Sequence, residues 1–272
     1  MAATDAPGTR ERKERERHCV RSVLVVGVIA CIALVPVIAR GDLVEPKGGQ
    51  YAGIGDGDLR IGFKVAGDGR VGDFRGIYTA GTCDTLLFVP QREEPDAHGR
   101  FNVFRDVGAT TYRVKGRFLT RTSARGKLIT HEGGMSCPGD YEFGFFTRRF
   151  GGTGHADDDG APRVGQYAGA GDGAYVWFDV NDFDDGTVTD ARLAIARGPC
   201  DGFNIGLSDT DEVFSDHRFR LEGGAGPTAL VLRGRFVDRS TVRGKAIVDT
   251  THPACPGEYE FRLKAKRFRD PG

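Results

Sequence analysis

The sequence predicts an all-β protein with two tandem antiparallel β-sandwich domains that follow an N-terminal apolar helix. Three observations support this prediction. The motif Cys-Pro-Gly-(Asp/Glu)-Tyr-Glu-Phe occurs twice, beginning at Cys137 and at Cys255. Apolar and polar residues alternate in short runs, which is typical of half-buried strands. Glycine accounts for 41 of the 272 residues, and this abundance suits many tight turns.

The N-terminal segment has the pattern of an export or membrane-anchoring signal. Residues 1–21 form a charged tail with more basic than acidic side chains, and residues 22–39 carry no charge. An apolar stretch of about 18 residues lies at the boundary between a signal-peptide region and a spanning helix. Two interpretations therefore stay open, a single-pass anchor with its N-terminus inside and a signal peptide cleaved near Ala39. Residues 40–48 then form a linker.

The rest of the chain divides into two repeats. We predict the first β-sandwich domain at residues 49–150 and the second at residues 164–268, joined by a linker at residues 151–163. Both repeats open with Gln-Tyr-Ala-Gly, at Gln50 and Gln166. The linker is rich in Gly and Asp and contains no apolar residue larger than alanine and proline.

Period-two alternation predicts seven or eight strands in each repeat and no further amphipathic helix. In the first repeat the strands are expected near residues 50–54, 59–65, 70–78, 84–89, 101–104, 110–120, 125–131 and 141–149. The second repeat shows the same pattern, for example at residues 230–236 and 259–263. So many short strands with one polar face favour a two-layer sandwich, either immunoglobulin-like or jelly-roll-like. A small closed β-barrel is the alternative.

Four of the six cysteines lie in the repeats, two in each, at matching positions. Four cysteines allow three pairings. Because a duplicated unit that folds by itself carries its own cross-link, we expect the structural disulfides Cys83–Cys137 and Cys200–Cys255. Such bonds indicate an oxidising compartment, whereas free buried thiols in a cytosolic protein are the alternative.

The repeats share an ordered set of short motifs. These are Gln-Tyr-x-Gly, a Gly-x-Val-x-Asp-Phe strand, a cysteine, a Gly-Arg-Phe strand, an Arg-Gly-Lys strand and a closing cysteine before an aromatic strand. They stand at Gln50-Tyr51, 69–74, Cys83, 116–118, 125–127 and Cys137, and again at 234–236, 243–245 and Cys255. This pattern resembles tandem disulfide-containing β-sandwich repeats of secreted actinobacterial proteins. Those repeats have no assigned activity, so the resemblance implies a fold and a location but no catalytic residue.

The motifs of common catalytic and metal sites are missing from the sequence. The six histidines occupy different positions in the two repeats, and none has metal-ligand spacing. We therefore predict no catalytic residue, no metal ligand and no cofactor. Gly-Asp clusters such as residues 55–58, 171–173 and 182–186 are interpreted as tight turns, and calcium binding is the alternative.

The charge distribution points to one candidate binding surface. Formal net charge is zero, with 38 basic and 38 acidic residues, so nucleic acid is not an expected partner. The late strands of each repeat nevertheless place cations at alternate positions that should face outward. The candidate residues of this basic face are Arg113, Lys115, Arg117, Arg233 and Arg235. An anionic polymer could follow such a face, and the alternative is a solvated edge that prevents aggregation.

From these observations we expect an exported or membrane-anchored, non-catalytic module of the cell envelope. Its role would be structural or ligand-binding, with a cell-envelope polysaccharide or protein as its partner and the membrane contacted through residues 22–39. An extracellular hydrolase is the competing hypothesis, because two well-placed carboxylates suffice for glycoside hydrolysis and the chain has many acidic residues.

Overall fold

The computed structural model describes residues 44–80, 83–134, 137–150, 162–181, 187–207, 211–213 and 217–268. Both repeats lie within one compact unit. The predicted apolar segment, residues 22–39, and most of the predicted linker, residues 151–163, lie outside the described residues. Within the described ranges, no helix is both long and apolar enough to cross a membrane.

Eight strands form the sheet of the first repeat, and they confirm the eight strands predicted from the alternation. They are β1 (Gly49–Gly55), β2 (Arg60–Val65), β3 (Val71–Ala80), β4 (Cys83–Glu93), β5 (Arg100–Val107), β6 (Thr110–Thr120), β7 (Ser123–Glu132) and β8 (Gly139–Phe150).

The second repeat reproduces this arrangement with one additional short strand. Its strands are β9 (Gly165–Gly171), β10 (Ala174–Asn181), β11 (Thr187–Ile195), β12 (Asn204–Leu207), β13 (Asp211–Glu212), β14 (Arg218–Ala225), β15 (Thr228–Asp238), β16 (Thr241–Thr250) and β17 (Gly257–Arg267). A single 3₁₀ turn, Gly198–Cys200, separates β11 from β12.

Each repeat is one curled, nearly barrel-shaped sheet, which is closer to the barrel alternative than to the predicted two-layer sandwich. The strand order is β4-β3-β2-β1-β8-β7-β6-β5 in the first repeat. In the second it is β12-β11-β10-β9-β17-β16-β15-β14, with β13 beside β11. Every neighbouring pair is antiparallel, and the edge strands β4 and β5 approach each other, as do β12 and β14. The alternation could not distinguish the two folds, because inward and outward residues alternate in both.

Aromatic side chains fill the interior of each curled sheet. In the first repeat, the ring of Phe63 lies 5.0 Å from the rings of Tyr51 and Phe74, measured between centroids. In the second, Phe178 lies 5.1 Å from Tyr167 and 5.5 Å from Phe219. All of these side chains are buried. Burial of such large apolar groups is the main source of stability in each repeat.

The two predicted disulfides are confirmed. Cys83 at the start of β4 is bonded to Cys137 in the turn before β8, with their Cα atoms 6.1 Å apart. Cys200 is bonded to Cys255 at the matching place, with a Cα separation of 4.9 Å. Closing a loop of this length stabilises a domain by about 4 kcal/mol in the chain-entropy description. Two disulfides are typical of a protein in an oxidising, extracytoplasmic compartment.

The tyrosine of each opening motif anchors the segment that enters the sheet. The hydroxyl of Tyr51 donates to the carbonyl oxygens of Lys47 and Arg121, each 2.8 Å away. In the second repeat, Tyr167 makes the same bonds to Arg163 and Arg239. Burial raises the pKa of Tyr51 to about 12, which keeps the donating hydroxyl protonated. The Gln-Tyr motif is therefore a structural device of the fold.

A third apolar cluster joins the two repeats through their outer faces. Strands β1 and β9, which are equivalent in the two repeats, contact each other there. The buried members of the cluster are Ala52, Ile54, Phe150, Ala168, Ala170, Tyr175, Trp177, Ala194 and Phe268. Burial on both faces explains why β1 and β10 lack the polar alternation of the other strands.

The contact between the repeats is asymmetric, because large side chains of β10 pack against glycines of the first repeat. The indole Nε1 of Trp177 donates to the carbonyl oxygen of Gly53 over 3.0 Å. A Cβ atom at Gly62 would lie 2.4 Å from Cδ1 of Tyr175. In the first repeat, Gly62 itself occupies the position that corresponds to Trp177. The interface thus requires bulky side chains on β10 of the second repeat and glycines at the facing positions of the first repeat.

Ion pairs surround this apolar contact. Arg60, which is buried, donates to the carbonyl oxygen of Asp190 over 2.7 Å and also contacts the carboxylates of Asp179 and Asp190. Arg75 pairs with Asp201 at 2.5 Å. Because both arginines are buried, loss of their carboxylate partners would leave buried charges without compensation. The pairs therefore favour one relative placement of the two sheets.

We expect the two repeats to unfold as one unit. Trp177 is the only tryptophan and lies 1% exposed in the interface, so its fluorescence reports directly on the contact between the repeats. Far-UV circular dichroism reports on both sheets. In a urea titration of the oxidised protein the two signals should change together. A fluorescence transition at clearly lower urea would contradict the prediction.

Gly62→Ala should destabilise the protein by about 1–3 kcal/mol, since the new Cβ overlaps the Tyr175 ring. Gly67→Ala is the matched control, because nothing lies within 4 Å of the Cβ position at Gly67. That control should change the free energy of unfolding by less than about 1 kcal/mol. Equal effects of the two substitutions in urea denaturation would contradict the described interface.

Candidate functional site

The outward face of β5, β6 and β7 carries cations at directly opposed positions. Arg117 lies between Arg100 and Arg125 in the register of these strands, and Lys115 lies opposite Lys127. All five side chains are exposed. We call these five residues the first ladder. Directly opposed side chains are about 5 Å apart at Cβ, and like charges in such pairs are destabilising.

The second repeat has a longer ladder at the same place. Its two rows run across β14, β15, β16 and β17, and each contains four cations. The second ladder consists of Arg218, Arg235, Arg243 and Lys264 in one row, and Arg220, Arg233, Lys245 and Arg262 in the other. Two separated sheets therefore keep the same unfavourable arrangement of like charges.

Carboxylates compensate these ladders only in part. Glu142 pairs with Lys127, and Glu260 pairs with Lys245 at 2.8 Å. Within the part of the chain that the structure describes, the side chains of Lys115, Arg117 and Arg125 have no hydrogen bond or ion pair. The first ladder thus presents three positive charges to solvent without a partner.

The surroundings shift the pKa of two ladder lysines in opposite directions. The hydrogen bond that Lys127 donates to Glu142 raises the pKa of Lys127, and the negative charge of that carboxylate adds to the effect. Partial burial lowers the pKa of Lys264, and the positive charges of Lys266 and Arg243 lower it further. At Lys264, burial and the neighbouring positive charges therefore both disfavour the protonated amine.

Glycines in the repeated motifs position these cations. Gly116 and Gly126 are opposite each other and point into the barrel between outward-facing residues. A Cβ atom at Gly116 would lie 2.3 Å from Cζ of Phe101, and one at Gly126 would lie 2.6 Å from Cζ of Phe145. The Gly-Arg-Phe and Arg-Gly-Lys motifs thus combine an inward glycine, covered by a phenylalanine ring, with outward cations.

A groove of about 1050 Å³ lies along the first ladder. Besides the five cations, its lining includes apolar Leu119, Phe145 and Phe146, the glycine Gly144 and the carboxylate of Asp56. Asp56 accepts a hydrogen bond from the backbone N–H of Gly144 over 3.0 Å. The second ladder lines a shallower hollow of about 320 Å³.

Four of the five residues predicted from the sequence belong to these surfaces. Lys115 and Arg117 line the first groove, and Arg233 and Arg235 line the second hollow. Arg113 is exposed but lies outside the groove, with its guanidinium carbon 5.5 Å from the ring centre of Phe104. All five face outward, as the alternation predicts.

Sequence reasoning missed the members of the ladders that come from other strands. Arg100, Arg218 and Arg220 stand on strands next to those of the predicted cations. Their opposition to these cations depends on the register of the β5–β6 and β14–β15 hairpins, which alternation within one strand does not fix. Gly144 and Arg262 were also missed. They follow the two aromatic closing motifs at the same spacing, so comparison of the repeats could have identified them.

A buried carboxylate is present elsewhere in the first repeat. Glu132 accepts hydrogen bonds from the hydroxyls of Thr110 at 2.9 Å and Thr130 at 3.0 Å, and from Tyr78. Burial raises the pKa of Tyr78. The second repeat has two threonines at this place, with the hydroxyls of Thr228 and Thr250 2.9 Å apart. Glu132 is thus satisfied by internal donors, as in a structural network.

The Gly-Asp clusters form turns where the structure describes them. Asp56 and Asp172 each accept a backbone N–H from the last strand of their repeat, over 3.0 Å. Among the described residues, no group of three or more acidic, histidine or cysteine side chains could hold a metal ion. The cluster at residues 182–186 lies outside them.

The comparisons with known proteins identify no family. No protein-family model matches the chain, and no curated protein matches it. A DUF3598-family protein of unknown function from Nostoc punctiforme is 8% identical, over 81% of this chain and 94% of its own, with a TM-score of 0.26. Kievitone hydratase from Nectria haematococca is 7% identical, over 84% and 91%, with a TM-score of 0.22. Similarity at this level supports no argument about this chain.

The opposite pKa shifts predict different chemical reactivity for two lysines. Amine-acylating reagents attack the unprotonated amine, so the labelling rate of Lys264 should rise at lower pH than that of Lys127. Mass spectrometry of peptides after brief labelling at several pH values measures both midpoints. Identical midpoints for the two lysines would contradict the described electrostatics.

Proposed function

We propose that this protein is a non-catalytic module of the cell envelope whose two ladders bind an anionic polymer. The observation that carries the proposal is the direct opposition of like charges across neighbouring strands in both repeats. An arrangement of this kind costs stability in the free protein. Binding of a negatively charged chain relieves the repulsion, which gives the ladders a role that a merely solvated surface lacks.

The placement of the ladders on strands favours an extended ligand. Rows of cations separated by the strand spacing of about 5 Å form a regular array on the outer surface of the sheet. A polymer with repeating negative charge can contact several rows at once, so weak contacts add up. A surface of this kind needs no deep pocket.

The location is part of the same proposal. The two disulfides support an oxidising compartment. Residues 22–39 would act either as a retained membrane anchor or as a signal peptide cleaved near Ala39, and both fates place the ladders outside the cytoplasm. An anionic polysaccharide of the envelope is the partner that fits this location and this charge.

The hydrolase hypothesis requires two carboxylates on either side of a bound sugar. Among the described residues that line the first groove, Asp56 is the single carboxylate, and its oxygen is engaged by the backbone of Gly144. The composition of this groove therefore favours binding over two-carboxylate hydrolysis.

The proposal predicts retention of the protein on an immobilised anionic polysaccharide at low ionic strength. Salt should elute it, because exposed charges are screened as the Debye length falls from about 30 Å at 0.01 M to about 8 Å at 0.15 M. The variant Lys115→Gln/Arg117→Gln should elute at a lower salt concentration, since two uncompensated charges are removed from the first ladder.

Lys64→Gln/Arg70→Gln serves as the control variant, because it removes the same charge from exposed positions outside the ladders. Its elution should stay close to that of the unchanged protein. Flow-through of the unchanged protein at low ionic strength would refute the proposal. Equal weakening in the two variants would show that net charge, and not the ladder, is responsible.

A further inference from the structure

The two ladders end differently on the last strand of each repeat. In the second repeat, both rows continue onto β17 as Lys264 and Arg262. In the first repeat, the corresponding neighbours on β8 are Phe146, opposite Arg125, and Gly144, opposite Lys127. On β8, the first ladder is therefore bordered by the ring of Phe146 and by Gly144, which has no side chain.

This difference accounts for the depth of the first groove. Where the second repeat has the long side chain of Arg262, Gly144 lines the groove without a side chain, and the carboxylate of Asp56 is the nearest group to its Cβ position. Phe146 and Leu119 supply apolar surface beside that space, and Leu119 remains 38% exposed. The result is a groove with an apolar floor and a cationic rim on one repeat only.

We propose that the first groove holds the sugar rings of a linear polysaccharide that carries carboxylates on its rings. The inference rests on the function proposed above and specifies its ligand. A ring with one C–H face can cover Phe146 and Leu119 and so bury apolar surface. Its carboxylates then reach Lys115, Arg117 and Arg125, of which the two guanidinium groups match a carboxylate in a bidentate fashion.

The dimensions and the chemistry of the groove support this assignment. Its volume of about 1050 Å³ exceeds that of most pockets for single small molecules, which are roughly 300–1,000 Å³. A flexible polyphosphate would satisfy the cations but leave the apolar floor in contact with water. The second ladder lacks this floor and binds by charge alone.

The substitution Gly144→Arg tests the assignment by the sign of its effect. It introduces the residue found at the same place in the second repeat, where Arg262 and Asp172 coexist, and only the flexible end of Asp56 lies closer than 3.0 Å to the new Cβ. The added charge would strengthen purely electrostatic binding. If the groove holds sugar rings, the filled space should instead weaken binding of a labelled oligogalacturonate at least about tenfold.

Gly67→Arg is the matched control, because it adds the same charge in a turn with nothing within 4 Å. Leu119→Lys is a second variant of the groove, at an exposed position that tolerates a polar side chain, and should also weaken binding. Fluorescence anisotropy of the full chain with oligogalacturonate and with polyphosphate of equal charge provides the measurement, and thermal melting confirms that each variant is folded.

Weaker oligogalacturonate binding by Gly144→Arg and Leu119→Lys, together with unchanged or tighter binding by Gly67→Arg, would support the inference. Unchanged or tighter binding by both groove variants would overturn it while leaving the anionic-polymer function standing. Polyphosphate binding as tight as oligogalacturonate binding would overturn the assigned ligand class. Absence of binding to either polymer at low salt would refute the proposed function itself.

Discussion

The interior of each curled sheet is filled by its own aromatic rings, and this packing constrains everything else that the protein can do. A strand has two faces, and in both repeats the inward one is committed to the core around Phe63 and Phe178. The contact between the repeats and the cation ladders therefore share the outward face. They divide it by position around the barrel, with the contact between repeats on β1, β9 and β10 and the ladders on β5 to β7 and β14 to β17.

The opposed cations of the ladders destabilise the folded protein, and other features of the structure offset this effect. Opposed cations repel one another, whereas the disulfides, the tyrosine anchors Tyr51 and Tyr167 and the interface around Trp177 all favour the folded state. Because these stabilising features hold the strands in register, the cations keep their spacing in the absence of a ligand. The polymer proposed as ligand would therefore lose less free energy to ordering of the surface that it meets.

The fold was predictable from the sequence to the extent that its signals are local. Alternation identified the eight strands of the first repeat, and the duplication identified both disulfide pairs, because a cross-link repeats with its unit. Sandwich and barrel could not be separated, since the decisive pairing of β1 with β8 joins distant segments. The ladders were predicted only in part. Alternation shows that Lys115 and Arg117 share the outward face of β6, but it does not fix the hairpin register that places Arg100 and Arg125 opposite Arg117. The uninterrupted apolar run of Ala174 to Phe178 indicates that both faces of β10 are buried. No local sequence pattern, however, identifies the surface that covers its outer face.

The asymmetry between Trp177 and Gly62 also has a consequence for biogenesis. Synthesis proceeds from the N-terminus, so the first repeat can close before β10 exists. During that interval Ala52, Ile54 and the glycines that will receive Trp177 and Tyr175 form an uncovered apolar patch. A second copy of the first repeat cannot cover it, because it offers glycine where the indole is needed. The second repeat thus supplies the side chains that cover this patch once it has been synthesised.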